Sequence, residues 1–233
     1  MFLLVLPPAG YSQTDSLRNP SLGTRIGEDA STMLRVAGHT LSTPARWESE
    51  DFLKAAGVVA LTAGTALLDQ EMRDLVHRNQ SSFGDRMAPI AARYGEGGPM
   101  ILLVAGMYGA GLAFENNWLR ETAVLAGTAV VISAGISTAG KFIVGRARPY
   151  TEFGNSDFKP FSGADEFHSF PSGHTVTAFA FSAVLAERIR NPWATVGLYT
   201  AATACAFSLS ATSTMYLAMI GRANEVPSRY RRS

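Results

Sequence analysis

A chain of 233 residues is the size of one ordinary domain. Hydrophobic residues make up 47% and charged residues 17%, where a typical soluble domain carries roughly 25% charged; the 22 glycines suit close-packed helices of the membrane-bundle kind. Twenty Lys+Arg against 19 Asp+Glu leave a net charge of +1, which argues against a nucleic-acid partner, and the single cysteine, Cys205, excludes an internal disulfide framework or a cysteine zinc site.

Residues 1–12 hold an apolar run, Phe2–Leu6, ahead of Gly10 and Ser12. A secretory signal cleaved after Ser12 and a plain apolar N-terminus both fit that pattern. Residues 13–50 are polar and mixed, with room for one amphipathic helix around Asp29–Val36. From residue 51 the texture changes, and five apolar segments follow: 52–68, 100–114, 122–140, 175–186 and 193–220. A membrane-spanning helix needs about 20 apolar residues. The third and fifth segments reach that length, the first sits at the lower limit, and the second and fourth fall short without their flanks. No stretch alternates apolar and polar as a half-buried strand does. Pro149, Pro160 and Pro171 punctuate the connection between the third and fourth segments. The expected architecture is all-α: a membrane-type bundle of about five apolar helices, with a long irregular loop from Thr151 to Ser172.

Two motifs flank that loop. The first is Lys141-Phe-Ile-Val-Gly-Arg146-Ala-Arg148-Pro149. On a helix running up to Pro149, Lys141 and Arg148 stand about two turns apart on one face, and Pro149 ends the helix. Taken alone, such a cluster also fits basic side chains snorkelling at a membrane interface. The second motif, Ser169-Phe-Pro171-Ser172-Gly173-His174-Thr175, opens the fourth segment. Unpaired N–H groups at a helix start, the helix dipole and the Ser172 hydroxyl make an anion site. His174 sits at the same end, and histidine is suited to general-acid work on a phosphate ester. Lys and Arg neutralise phosphate oxygens from one side while the amides hold them from the other.

Lys141-x6-Arg148-Pro149 followed by Pro171-Ser172-Gly173-His174 resembles the first two signature motifs of the type 2 phosphatidic acid phosphatase superfamily, over roughly residues 50–217. That superfamily includes bacterial lipid phosphatases, soluble periplasmic acid phosphatases, glucose-6-phosphatase and the vanadium haloperoxidases. The resemblance implies a helical bundle, with six helices in the membrane-bound members. It implies that Lys141, Arg148, Ser172 and the Gly173 N–H bind phosphate, that His174 protonates the leaving oxygen, and that no metal or other cofactor is required. Vanadate enters only on the haloperoxidase reading.

The family's third motif, Ser-Arg, about five residues, His, three residues and Asp, supplies the nucleophilic His and the acid that orients it. Here the corresponding place reads Ala211-Thr-Ser213-Thr214-Met-Tyr216-Leu217, and Thr214 stands where Arg is expected. The chain's histidines are His39, His77, His168 and His174, so the acid has a candidate and the nucleophile has none in place. His168 is a substitute that nothing in the sequence orients. The stretch 218–233, with Arg222, Arg229, Arg231 and Arg232, reads as an atypical basic tail, and a truncated or frame-shifted homologue is the expectation there. The expected activity is hydrolysis of a phosphate monoester or diphosphate of a membrane lipid, in an inner membrane with the site facing the periplasm. A soluble periplasmic acid phosphatase, a vanadate haloperoxidase and an inactive homologue remain the alternatives. A periplasmic site requires residues 13–50 to be cytoplasmic, whereas a cleaved signal puts them outside.

Overall fold

The computed structural model describes the backbone of residues 21–57, 82–147 and 158–224, and the side chains of those stretches apart from 82–85 and 209–224. The N-terminal apolar run, most of the first apolar segment, His77, Arg148, the side chains of the third-motif region 211–217 and the end of the basic tail lie outside the described residues.

Among the described residues, these helices carry the fold: α1 (Leu22–Ser42), α2 (Ser82–Gly95), α3 (Gly97–Ala113), α4 (Asn117–Val144), α5 (Gly173–Ile189) and α6 (Pro192–Asn224). Residues 49–57 are also helical. Two 3-10 turns, Thr43–Arg46 and Asp165–Phe167, and an isolated antiparallel bridge between Arg146 and Phe158 complete the described residues, which contain no strand. The all-α expectation therefore holds. Segments three to five each lie within one helix, α4 to α6 respectively, segment two forms α3 up to its C-cap Phe114, and the helix expected around Asp29–Val36 extends over the whole of α1.

Their boundaries follow from local chemistry. Ser21, Asn116 and Ser172 are N-caps whose side chains accept the N–H of Thr24, Leu119 and Thr175; each satisfies an amide the helix leaves orphaned. Asn191 does the same for α6, accepting from Trp193 N at 2.9 Å and Ala194 N at 3.2 Å.

The core is built on close approach between these helices. Met100 of α3, Ala126, Ala129 and Val130 of α4, and Ala180, Phe181 and Val184 of α5 form one buried cluster. A second joins Ala178 of α5 to Ala202 and Cys205 of α6. The alanines let the backbones come near enough for these contacts. At the N-terminal side, α1 is fastened to the bundle through buried Asp29, which accepts from Tyr108 Oη at 2.8 Å and pairs with Arg120 Nε at 3.6 Å.

Helix α2, which contains Pro89, falls between the first two apolar segments, where the sequence pattern places no helix. It forms because its C-terminal half is packed on α5 and α6. Tyr94 meets the Phe181 ring edge-on at 6.1 Å, and its hydroxyl lies 2.8 Å from Ser182 Oγ. Tertiary packing here outweighs a weak local preference.

A second difference concerns the first motif. The helix bearing Lys141 ends at Val144, not at Pro149. Gly145 adopts the left-handed conformation, φ 57°, ψ 41°, and its N–H donates to Lys141 O at 2.8 Å. This is the glycine-terminated C-cap, and it places Arg146 and Ala147 beyond the helix. The reasoning that put Lys141 and Arg148 on one helical face is thereby corrected: that seven-residue spacing is not a helical one. Among the described residues, Asn117–Val144 is the one helix long and apolar enough to cross a membrane; Gly97–Ala113 is apolar but shorter.

Candidate phosphate-binding site

The site lies where the end of α4 meets the start of α5, and the intervening loop holds the two together. Leaving α4, Gly145 turns the chain so tightly that a Cβ there would run into the Lys159 carbonyl. The returning strand of the loop then bonds back: Lys159 N donates to Gly145 O at 2.7 Å and Phe161 N to Phe142 O at 2.7 Å. Phe142 and Phe161 pack edge to face at 5.7 Å, and the Lys159 ammonium lies 5.1 Å from the Phe167 ring centre. Ser169 closes the clasp. Its N–H donates to Arg146 O at 3.2 Å, and its hydroxyl reaches the carbonyls of Arg146 at 3.0 Å and Ala147 at 2.9 Å.

The Pro-Ser-Gly turn then rests on the last turns of α4. Ser137 Oγ donates to Pro171 O at 3.3 Å. Gly140 leaves the room Pro171 occupies, since a Cβ at 140 would stand 3.0 Å from the proline Cδ. Ser172 caps α5, with Thr175 N donating to its oxygen at 3.5 Å.

These contacts bring the two motifs together. A Cβ added to Gly173 would stand 3.6 Å from Lys141 Nζ and 3.9 Å from Ser137 Oγ. The ammonium, the Ser137 hydroxyl and the amide end of α5 thus surround one small space, and His174 is in the first turn of that helix. Behind it, Gly95 at the end of α2 abuts the His174 carbonyl, and a Cβ there would also come 2.7 Å from Cys205 Sγ. A cation and orphan helix amides around one space are the chemistry of an oxyanion site.

Lys141 and Gly173 thus lie together; Ser172 and His174 flank Gly173 at the start of α5, and Arg148 lies outside the described residues. His168 is engaged within the loop, its Nε2 2.9 Å from Ser162 O and its Nδ1 3.6 Å from Asp165 Oδ1. Both ring nitrogens face loop groups, which is the arrangement of a brace rather than of a nucleophile. His39 belongs to α1. Ser137, Gly140 and Gly95 went unnoticed in the sequence. For Ser137 a signal existed: it is four residues before Lys141 and so shares its helical face.

Residues 122–219 match the family described as the PAP2 superfamily, so the resemblance carried by the two motifs is borne out. The chain is also similar to two curated proteins named "Lipid A 1-phosphatase". With that of Rhizobium etli it is 46% identical over 61 residues, 25% of this chain and 26% of the relative. With that of Rhizobium johnstonii it is 46% identical over 59 residues, 24% of each. The matched region thus spans about a quarter of the length of these relatives. No solved structure matches the chain.

Proposed function

From the PAP2-superfamily identity of residues 122–219, we propose that the α4–α5 junction binds the phosphate group of a membrane lipid and forms the binding and proton-donating half of a lipid phosphatase. The observation that carries this reading is that Lys141 Nζ lies beside Gly173 at the N-terminus of α5, 3.6 Å from where a Cβ at 173 would stand. Lys141 and Arg148 neutralise the phosphate oxygens, and the Ser172 hydroxyl and Gly173 amide donate to them. As water bonds to phosphorus and the phosphorus–oxygen bond to the lipid breaks, His174 gives its proton to the bridging oxygen, so the lipid departs as an alcohol and the phosphoryl group as inorganic phosphate.

A lipid substrate is favoured by the outer faces of the bundle. Leu102 and Ile101 of α3 and Val131 and Ile136 of α4 are exposed, and α3 carries no charged residue. Those faces suit a bilayer, with the phosphate site at its periplasmic surface. The names of the two relatives point to the 1-phosphate of lipid A as the first substrate to try.

A second reading has its own observation. The chain has no His after His174, so the family's phosphoryl acceptor is missing from its usual place. On that reading the protein binds a phosphate group without turning it over.

The test uses the full chain in detergent. Vanadate affinity is measured by calorimetry, and phosphate release is measured from lipid A and phosphatidic acid. Removing one charge-assisted bond costs about 1.5–3 kcal/mol, so Lys141→Ala and Arg148→Ala should each weaken vanadate about 10- to 100-fold. Wild-type affinity in both variants refutes the site. Phosphate release that is lost in His174→Ala establishes the phosphatase, whereas binding without release selects the second reading.

A further inference from the structure

The bundle end opposite the phosphate site has a pattern that phosphate chemistry does not use. Two connections meet there, α3–α4 (residues 114–116) and α5–α6 (residues 190–191). They present Phe114, 80% exposed, Trp193, 82% exposed, and Trp118, 44% exposed. Charged and amide side chains lie directly beside these rings. The Arg188 guanidinium lies 5.8 Å from the Trp118 ring centre and pairs with Glu121 at 3.1 Å. Asn116 and Asn191 cap the two helices that start there.

The distance from this end to the phosphate site can be read from two cross-links between α4 and α5. Arg188 Nε donates to Thr122 Oγ1 at 3.0 Å, and Ser137 Oγ donates to Pro171 O at 3.3 Å, beside Gly173. Thr122 to Ser137 is 15 positions along α4, and Arg188 back to Gly173 is 15 along α5. At 1.5 Å per residue the two levels are roughly 22 Å apart. Trp118, one turn beyond Thr122, brings the separation to roughly 28 Å. The hydrocarbon core of a bilayer is about 30 Å thick. Between the two levels, residues 97–113, 122–140, 175–186 and 192–208 contain no Asp, Glu, Lys or Arg. The wall they form exposes Leu102, Val131 and Val196.

We infer that Phe114, Trp118 and Trp193 form an interfacial anchor that sits in the headgroup layer of one leaflet and so sets the phosphate site at the headgroup layer of the other. This rests on the membrane-lipid reading above. Indole rings suit that layer because the ring is apolar while its N–H needs water or a headgroup acceptor. A protein partner would seat the rings in a dry patch, but here charged residues lie within one helical turn of them. The uncharged stretches of α3 to α6 that begin at the same level are matched by hydrocarbon, while α1, with Arg25, Glu28, Asp29 and Arg35, covers part of α4.

The experiment places tryptophan by depth. The full chain in two single-tryptophan forms, Trp47→Phe/Trp118→Phe and Trp47→Phe/Trp193→Phe, is reconstituted into phosphatidylcholine vesicles. The vesicles carry a nitroxide on the headgroup, near the top of the acyl chain, or near its end. Both forms should be quenched most by the headgroup and upper-chain labels, at least twice as strongly as by the chain-end label. Strongest quenching by the chain-end label overturns the anchor and leaves the membrane reading standing. Quenching by aqueous iodide with none from any lipid label overturns both. Absence of quenching from either side signals burial against a second copy or another protein, and overturns the anchor.

Discussion

Substituting Gly173 by Ala separates the binding reading from ordinary helix packing. The new methyl would stand 3.6 Å from Lys141 Nζ and 3.9 Å from Ser137 Oγ. Those are ordinary van der Waals separations, so the fold has no steric reason to object. Gly173 does not have a left-handed φ, and alanine in a helix is favoured over glycine by about 0.5–1 kcal/mol. The melting temperature should therefore stay level or rise by a few degrees. Binding should behave in the opposite way. An oxyanion bridging Lys141 and the Gly173 amide lies about 2.8 Å from the ammonium nitrogen. That position falls inside the ~3.5–4 Å contact shell of the new methyl. The anion then loses at least one charge-assisted bond, about 1.5–3 kcal/mol, or about 10- to 100-fold in vanadate affinity. Calorimetric titration with vanadate and a thermal melt of the same preparation give both numbers. Wild-type affinity in Gly173→Ala would refute the premise that the anion lies between the α4 ammonium and the start of α5. A lowered melting temperature would instead show that the glycine serves packing.

Three further outcomes are expected. Gly95→Ala forces a methyl against the His174 carbonyl and Cys205 Sγ; overpacking of this kind costs about 1–3 kcal/mol, and the thermal melt should fall accordingly. Asp29→Ala leaves the Tyr108 hydroxyl without its acceptor and the Arg120 guanidinium without its ion-pair partner, a loss of about 1.5–3 kcal/mol; limited proteolysis should then cut within residues 22–42 first, and an unchanged digestion pattern argues against the tether. Ser172→Ala removes a long 3.5 Å cap, so stability should drop by only about 0.5 kcal/mol, while vanadate affinity drops further because the hydroxyl donor is lost as well.

Much of this protein was legible because its signals are local. The charge-free segments became α3 to α6, and their ends fall at Asn116, Gly145, Ser172 and Asn191, residues whose side chains or lack of one satisfy orphan helix groups. Pro171-Ser172-Gly173-His174 read as the start of a helix for the same reason. Residues 82–95 were opaque: nothing local favours a helix through Pro89, and α2 exists because Tyr94 and Gly95 find Phe181, Ser182 and His174 across the bundle. The Lys141–Arg148 spacing invited a helical reading, but Gly145 takes a left-handed φ that the Lys159 carbonyl leaves room for no other residue to adopt. Composition decided that helices would form and roughly where they would stop. Tertiary structure alone decided which side of α4 receives the returning loop, and hence that Ser137 and Lys141 face Gly173, because the charge-free stretch 122–140 offers the sequence no mark of its inner face.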